Sequence, residues 1–228
     1  MTANPSDSVK IIPSLLASNF AIIGTEVERA VNGGADAIHL DVMDGHFVPP
    51  ITFGTQMLKA IKPYSGLLPI EVHLMVTDPL KYISEIVEAG ADIILCHAEV
   101  DSDLKATIRE IQSYGVKAGI AIKPETGIDI LKDIMDTVDV ILVMTVEPGY
   151  GGQEYLRSVE TKIKGVRKLI DLGDSDPELE VDGGITGSNI RSAYLAGARR
   201  FVAGSSIYGS KESVESQINL LRNSIDGL

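Results

Sequence analysis

Short runs of β-branched and aliphatic residues alternate with amphipathic stretches along almost the whole chain. Eight of these runs predict strands, at residues 10–13, 37–41, 70–74, 93–97, 117–122, 140–144, 179–182 and 201–203. Between them, apolar residues at three- and four-residue intervals predict helices, for example at 25–31, 79–89, 103–114, 128–135, 156–172 and 189–196. Strands that alternate with helices pair in parallel through right-handed crossovers. Eight such strands predict a closed (β/α)8 TIM barrel of the α/β class, and an open doubly wound sheet is the alternative.

The size of the chain agrees with this fold. Its 228 residues are close to the length of a plain barrel of eight β/α units, and no linker or low-complexity segment divides them, so we expect a single domain. Residues 1–8 are polar and lack the basic stretch and apolar core of a signal peptide. We expect these residues to form a flexible tail and residues 9–228 to form the catalytic barrel.

A faint internal repeat supports the same architecture. Glycine followed by alanine ends three of the predicted helices, at Gly34, Gly90 and Gly197. Seven residues further on, each repeat reaches a predicted strand exit: Asp41, His97 and Gly204. In a barrel the strand exits form the active face. A shared helix cap explains the glycines but not the polar residues that gather at the strand ends.

Charge and cysteine content limit the partners and the compartment. The formal net charge of −12 argues against nucleic acid or an anionic membrane surface as a partner. No apolar run is long enough to cross a bilayer. The one cysteine, Cys96, can form no disulfide within the chain, so we expect a reducing, cytoplasmic location. An anionic substrate would have to be met locally, by backbone amides, helix N-termini or a metal.

Two histidines and two carboxylates lie near the ends of three predicted strands. They are His39 and Asp41 on the second strand, His73 on the third and Asp182 on the seventh. Residues two apart on a strand face the same side, and in a barrel that side can be the interior. Either histidine alone is more simply explained as a barrel-interior residue with a hydrogen-bond partner. Together, the four predict a site for one divalent ion such as Zn²⁺, Fe²⁺, Mn²⁺ or Co²⁺.

Glycine-rich segments follow the last three predicted strands. They contain Gly149, Tyr150, Gly151 and Gly152, then Gly183 and Gly184, then Gly204 and Ser205. Glycine lets the backbone approach an anion closely and present its N–H groups. One such pair is weak evidence, because turns need glycine in any case. Three adjacent glycine-rich exits predict a phosphate-binding cradle.

Three methionines also fall at or just after predicted strand exits, at Met43, Met75 and Met144. For any one of them, filling of an irregular core is the simpler interpretation. As a set, they are candidates for an apolar floor that contacts the substrate and keeps water from a reactive intermediate.

Six motifs, in order along the chain, resemble those of the ribulose-phosphate 3-epimerase family: residues 12–17 (IPSLLA), 39–49 (HLDVMDGHFVP), 72–76 (VHLMV), 146–153 (VEPGYGGQ), 180–184 (EVDGG) and 202–205 (VAGS). The resemblance runs from about residue 10 to the end of the chain, and the second motif is highly specific. Two positions depart from the family pattern. Pro50 stands where asparagine is more common, and Tyr150 where phenylalanine is more common.

The resemblance implies a metal-dependent isomerase of the pentose phosphate pathway that interconverts D-ribulose 5-phosphate and D-xylulose 5-phosphate at C3 through an enediolate. It implies metal ligation by His39, Asp41, His73 and Asp182, with Asp41 and Asp182 as the two proton-transferring acids. It also implies substrate contacts from Ser14, from His73, from the three methionines and from the glycine-rich loops. Direct proton exchange needs no nicotinamide, and no Gly-x-Gly-x-x-Gly motif follows the first predicted strand, so we expect no nucleotide cofactor.

Three other functions are weighed against this one. An epimerase of a longer sugar, such as allulose 6-phosphate, would tend to alter the Gly-Gly pairs after strands six and seven, and both are present here. A phosphate-binding decarboxylase or synthase would typically have a lysine among the strand-end acids. A non-catalytic sugar-phosphate-binding barrel would not need all four ligands. We also expect a homo-oligomer, whose subunit number and native metal the sequence leaves open.

Overall fold

The computed structural model describes residues 8–100 and 103–225. Within them, eight parallel strands run in chain order as β1 (Lys10–Pro13), β2 (Ile38–Met43), β3 (Ile70–Met75), β4 (Ile93–His97), β5 (Lys117–Ile122), β6 (Val140–Met144), β7 (Glu178–Asp182) and β8 (Arg200–Ala203). They are hydrogen-bonded in the order β1-β8-β7-β6-β5-β4-β3-β2. A parallel bridge between Ser14 and His39 joins the two ends of this sheet. The strands therefore form a nearly closed barrel, which confirms the predicted (β/α)8 fold.

Helices cover the outside of the barrel. They are α1 (Ile23–Asn32), α2 (Thr55–Ile61), α3 (Ile83–Glu88), α4 (Leu104–Ser113), α5 (Glu160–Leu172), α6 (Ile190–Leu195), α7 (Ser205–Tyr208) and α8 (Val214–Asn223). Their buried faces pack against the outward-facing aliphatic side chains of the strands in one continuous core. The longest described helix, α5, has 13 residues, and no described helix combines the length and hydropathy of a membrane span. The tail expected at residues 1–8 lies outside the described residues, except for Ser8.

The crossover between β5 and β6 differs from the sequence-based expectation. The predicted helix at 128–135 is absent, and two short 3-10 turns stand there instead, Ile128–Leu131 and Met135–Thr137. Their backbone hydrogen bonds close after three residues, as from the amide of Lys132 to the carbonyl of Asp129. The segment is rich in isoleucine and aspartate, which are poorer helix formers than alanine or leucine. The three- and four-residue spacing of the apolar residues at 128–135 therefore belongs to successive 3-10 turns and not to an α-helix.

The barrel interior has an apolar side and a polar side. On the strands β4 to β6 the interior residues form an apolar cluster that includes Leu95, Leu142 and Met144. On the other side, polar and charged residues stand in register on neighbouring strands. His39 is opposite Glu71 and Asp41 is opposite His73 between β2 and β3. Strand pairing thus brings the candidate ligands to one side of the barrel.

Candidate metal centre and active site

The four predicted ligands come together at the carboxyl ends of their strands. One ligand atom from each lies within 4.8 Å of all the others. Asp41 Oδ1 is 3.3 Å from His39 Nε2 and 3.4 Å from His73 Nδ1. Asp182 Oδ2 is 3.9 Å from each of the same two nitrogens. The arrangement converges on a single point between two imidazoles and two carboxylates.

The unpaired atoms of the histidines show that this arrangement fits a divalent ion. His39 Nε2 and His73 Nδ1 are buried and have no hydrogen-bond partner among the described residues, and these are the two nitrogens that face the carboxylates. Buried polar atoms normally have a partner, so each such exception needs an explanation. Two nitrogen and two carboxylate ligands suit a divalent transition metal, and the two negative charges would balance its charge.

The two candidate acids have opposite protonation tendencies. Burial alone would raise the pKa of Asp41, but the neighbouring His39 and His73 hold the pKa of that carboxyl well below its usual range. Burial, reinforced by the negative charge of Asp41, raises the pKa of Asp182 to about 6. Burial would lower the pKa of His39, but Asp41 and Glu71 raise it well above its usual value. The same pocket therefore holds one readily ionised carboxyl and one that holds its proton more tightly.

A buried charge cluster lies below the ligands. We call it the lower layer, and its members are His39, Glu71, Glu180 and Arg200. His39 Nδ1 is 2.8 Å from Glu71 Oε1, and the Arg200 guanidinium donates to both Glu71 and Glu180. His39, Glu71 and Glu180 could also be taken for a metal site. However, Arg200 already supplies the positive charge between the two glutamates.

The pKa values in the lower layer follow from this arrangement. Burial would raise the pKa of Glu71, but Arg200 and His39 lower it to about 2. Burial and the neighbouring Glu71 raise the pKa of Glu180 well above its usual value. Within the cluster, Glu71 is therefore the more readily ionised glutamate, and Glu180 holds its proton more tightly.

The second ligand histidine has a different support. His73 Nε2 lies 2.9 Å from His97 Nε2, and His97 Nδ1 lies 3.0 Å from Glu99 Oε2. His97 is fully buried at the end of β4. Burial lowers its pKa to about 4. Each ligand histidine is thus held at the nitrogen that points away from the carboxylates.

The predicted substrate-contact residues, apart from His73, line one cleft above the ligands, with a volume of about 570 Å³ that includes its opening to solvent. Ser14, Asp41 and Asp182 lie in its wall, as do the three methionines and all three glycine-rich loops. Ser14 Oγ donates to Asp41 Oδ2 at 2.6 Å. No lysine or arginine is among the residues that line the cleft.

Backbone conformation explains glycine at two of the loop positions. Gly183 and Gly184 have φ values of +121° and +65°, a region that favours glycine. A Cβ atom at Gly184 would lie 2.5 Å from the amide nitrogen of Tyr155. Thr145 Oγ1 donates to the carbonyl of Gly183 at 2.6 Å and holds this turn against β6. The backbone of the loop after β7 is therefore fixed where it borders the cleft.

Sequence reasoning identified the ligands but not the residues that hold them. Glu71 and Glu180 each lie two positions before a predicted ligand, on the same face of the strand, and this spacing was the available signal. His97 was identified as a strand exit without any role. Arg200 carried no local signal, because its partners lie on other strands. Glu99 lies two positions after His97, its hydrogen-bond partner, and this spacing was the available signal there.

Comparison with known proteins places the chain in a family. Residues 10–208 match the model of the ribulose-phosphate 3 epimerase family. The ribulose-phosphate 3-epimerase of Bacillus subtilis is 44% identical over 205 residues, which cover 90% of this chain and 94% of that protein. The chloroplastic ribulose-5-phosphate-3-epimerase of Arabidopsis thaliana is 41% identical over 207 residues, covering 90% of this chain and 73% of that protein. In fold, the chain is similar to the solved structure of KGPDC from Streptococcus mutans, with a TM-score of 0.71, 15% identity and coverage of 96% and 97% of the two chains.

Proposed function

We propose a substrate and a mechanism for this chain, which belongs to the ribulose-phosphate 3-epimerase family and is an epimerase of the isomerase class. Its barrel, residues 9–228, interconverts D-ribulose 5-phosphate and D-xylulose 5-phosphate at C3, a step of the pentose phosphate pathway. The observation that carries this proposal is the pair of carboxyl groups, Asp41 and Asp182, in one cleft with opposite protonation tendencies.

Inversion at C3 needs a base on one face of the carbon and an acid on the other. In one direction, ionised Asp41 removes the C3 proton and protonated Asp182 returns one to the opposite face of the enediolate. In the reverse direction the two residues exchange roles. Ser14, which donates to Asp41 Oδ2, fixes the orientation of that carboxylate. The carboxyl group that removes a proton and the one that donates a proton therefore differ in proton affinity before the substrate binds.

The four ligands His39, Asp41, His73 and Asp182 would hold one divalent ion, drawn from Zn²⁺, Fe²⁺, Mn²⁺ and Co²⁺. When bound, the ion would act as a Lewis acid and stabilise the negative charge that proton loss leaves on the substrate, by several kcal/mol. The methionines Met43, Met75 and Met144 are at most 3% exposed and border the cleft. They exclude water, so that the carbanion is protonated by a carboxyl group and not by solvent.

The substrate phosphate is recognised by backbone N–H groups of the glycine-rich loops, which contain Gly149–Gly152, Gly183 and Gly184, and Gly204 and Ser205. Two observations support this assignment. All these residues border the cleft, and no lysine or arginine lines it. A dianion in a cleft without basic side chains must be met by oriented backbone dipoles.

Isotope exchange in D₂O tests the two acids. In Asp41→Asn and Asp182→Asn, the amide keeps the size of the side chain but cannot transfer the proton, so epimerisation should fall by at least about 10²- to 10⁴-fold. A variant that retains metal should still exchange the C3 hydrogen of one epimer, through the surviving acid. The two variants should choose opposite epimers. Epimerisation near the wild-type rate in either metal-loaded variant would rule out the two-acid mechanism.

Asp44→Asn is the matched control for these variants. Asp44 belongs to the same motif, but its carboxylate accepts from the amides of His46, Phe47 and Thr77 and does not line the cleft. This variant should retain epimerase activity. The substrate itself is tested by comparing ribulose 5-phosphate with allulose 6-phosphate, and faster turnover of the hexulose would reassign it.

We also infer a homo-oligomer in the cytoplasm. Ile51 and Leu67 are large apolar residues that remain 80% and 103% exposed, which favours further association. Cys96 is a buried free thiol, in keeping with a reducing compartment. Location varies within the family, since one relative is chloroplastic. Analytical ultracentrifugation would measure the subunit number, and a monomer at micromolar concentration would contradict the first inference.

A further inference from the structure

We propose that Glu99 and His97 are positioning residues that set the tautomer of His73, so that its Nδ1 lone pair faces the metal site. The inference rests on the proposed role of His73 as a ligand. Neither residue lines the substrate cleft. His97 acts on the metal site through its contact with His73, and Glu99 acts through His97.

Three side chains form a chain of hydrogen bonds that ends at the metal site. Glu99 Oε2 is 3.0 Å from His97 Nδ1, and His97 Nε2 is 2.9 Å from His73 Nε2. His73 Nδ1, at the far end, has no hydrogen-bond partner and lies 3.4 Å from Asp41 Oδ1. Both histidine side chains are fully buried, so water cannot replace a missing partner.

The direction of these hydrogen bonds follows from the chemistry of the first acceptor. An ionised carboxylate can only accept, so the hydrogen of the Glu99–His97 contact lies on His97 Nδ1. Nε2 of a neutral His97 is then a lone pair and accepts from Nε2–H of His73. A neutral imidazole carries one hydrogen, so Nδ1 of His73 is unprotonated. The Glu99 carboxylate thereby acts through the rings of His97 and His73 to leave Nδ1 of His73 unprotonated and facing the metal site.

Glu99 is itself oriented by contacts on its other oxygen. Its Oε1 accepts from the backbone amide of Lys123 at 2.7 Å and from the hydroxyl of Thr126. A backbone N–H can only donate, so an oxygen must remain at this position. In Glu99→Gln, the amide oxygen would therefore stay with Lys123 and the NH₂ group would face His97.

Exchange of this one oxygen for NH₂ would reverse the direction of each hydrogen bond between residue 99 and His73. The NH₂ group would donate to Nδ1 of His97, and Nε2–H of His97 would then donate to Nε2 of His73. His73 would carry its hydrogen on Nδ1 and could not bind a metal. A residue that supported His73 only by packing would cause no such reversal, because glutamate and glutamine have almost the same shape.

His39 provides an internal comparison. Its Nδ1 is held by Glu71, which is tied to Arg200 in the lower layer, and not by His97 or Glu99. The hydrogen that His39 Nδ1 shares with Glu71 should therefore stay in place in Glu99→Gln as in the wild type. The effect of the substitution is expected at one of the two ligand histidines.

The experiment combines ¹⁵N NMR of the histidine rings in metal-free protein with the Zn²⁺ affinity, measured by competition with a chelator. In the wild type, His73 should be protonated at Nε2. In Glu99→Gln the proton should move to Nδ1, and the affinity should fall by about 10- to 100-fold, as is typical when an outer partner of a ligand is altered. Thr126→Val is the matched control, since it removes one contact of Glu99 but leaves the carboxylate facing His97. It should keep the wild-type tautomer and affinity.

A second pair of variants tests the same series of hydrogen bonds without altering Glu99. In His97→Gln, an amide oxygen can accept from His73 while the NH₂ group donates to Glu99, so the wild-type affinity should be retained. In His97→Leu, no acceptor remains and the affinity should fall. These two variants decide the matter if Glu99→Gln does not fold.

The outcomes separate this inference from the proposed function. A Glu99→Gln protein with the wild-type tautomer and affinity would overturn the inference while leaving the metal centre intact. A wild-type protein that binds no Zn²⁺ would overturn the metal centre. The NMR comparison of the metal-free proteins would still test the tautomer by itself.

Discussion

Replacement of Arg200 should strongly destabilise the barrel interior, because it removes the guanidinium that the buried Glu71 and Glu180 share. The side chain of Arg200 is 2% exposed, and those of Glu71 and Glu180 are fully buried. In Arg200→Met the apolar stem of the side chain is kept and the guanidinium is lost. The variant therefore tests the charge and not the packing.

The magnitude follows from the protonation states. Burial and Glu71 already raise the pKa of Glu180, so only the charge on Glu71 loses its partner. Protonating a carboxyl with an ordinary pKa of about 4.3 at pH 7 costs about 3.7 kcal/mol, since each pKa unit is about 1.4 kcal/mol. A loss of about 3–4 kcal/mol in the free energy of unfolding is therefore expected, close to the usual cost of breaking a buried ion pair. With an unfolding entropy of about 2.1 cal/mol/K per residue, the melting temperature should fall by about 6–8 °C for 228 residues.

The dependence on pH identifies the cause. In the wild type the pKa of Glu71 is lowered to about 2, so its stabilising effect is present above the unfolded pKa and is lost as the pH falls through about 2. In Arg200→Met the pKa of Glu71 is raised instead, so the cost of protonation shrinks to about 1 kcal/mol at pH 5. The difference in stability between the two proteins should therefore be large at pH 7 and small at pH 5.

Urea denaturation of metal-free protein at both pH values measures this difference without a contribution from metal binding. Lys10→Met is the matched control. The Lys10–Glu178 ion pair is 2.6 Å long but partly exposed, so its loss should cost no more than about 1 kcal/mol. A loss below about 1 kcal/mol for Arg200→Met, or an equal loss at pH 5 and pH 7, would refute the reasoning.

Three further predictions concern the cleft. Metal affinity should fall as the pH drops through about 6, because protonation of Asp182, whose pKa is raised to about 6, removes a negative charge that attracts the ion; chelator competition between pH 5 and 8 measures this, and a constant affinity would contradict it. Gly184→Ala should destabilise the fold by about 1–3 kcal/mol, since its φ is +65° and its Cβ would press on the Tyr155 amide. At Gly151 a Cβ would make only an ordinary contact with the Leu16 side chain at 3.9 Å, so Gly151→Ala should leave the thermal melting temperature unchanged, and equal effects of the two substitutions would count against this account. Ser14→Ala removes a hydrogen bond to a carboxylate and should lower kcat by about tenfold or more, whereas an unchanged kcat would make the serine dispensable.

The fold could be predicted from the sequence because parallel strands buried on both faces appear as short aliphatic runs. The runs predicted strands β4, β5 and β6 with the observed bounds, whereas β2 extends two residues beyond its predicted end, to Met43. The crossover at 128–135 could not be predicted, because apolar spacing alone does not distinguish an α-helix from successive 3-10 turns. The spacing of apolar residues indicates which side of a segment is buried, whereas tertiary packing determines whether the segment forms an α-helix or 3-10 turns.

The site could be predicted only in part. The candidate ligands lie near the carboxyl ends of strands, where a barrel gathers its polar residues, so their positions along the chain were sufficient. The residues below them depend on strand pairing. Arg200 reaches Glu180 because β7 and β8 pair in that register, and it reaches Glu71 across the barrel interior. No local sequence pattern predicts a contact between two residues that lie 129 positions apart.

The polar side of the barrel interior has two layers, and the hydrogen bonds of the lower layer hold a ligand histidine in place without a metal. In the lower layer, the Arg200 guanidinium donates to Glu71, whose pKa is lowered to about 2, and to Glu180, whose pKa is raised. Above it, Asp41 and Asp182 carry up to two negative charges, which a divalent ion would balance. His39 belongs to both levels, since its Nδ1 contacts Glu71 and its Nε2 faces Asp41. The lower layer therefore fixes the orientation of His39 from the side opposite the carboxylates, through a contact that binding of an ion at Nε2 leaves in place.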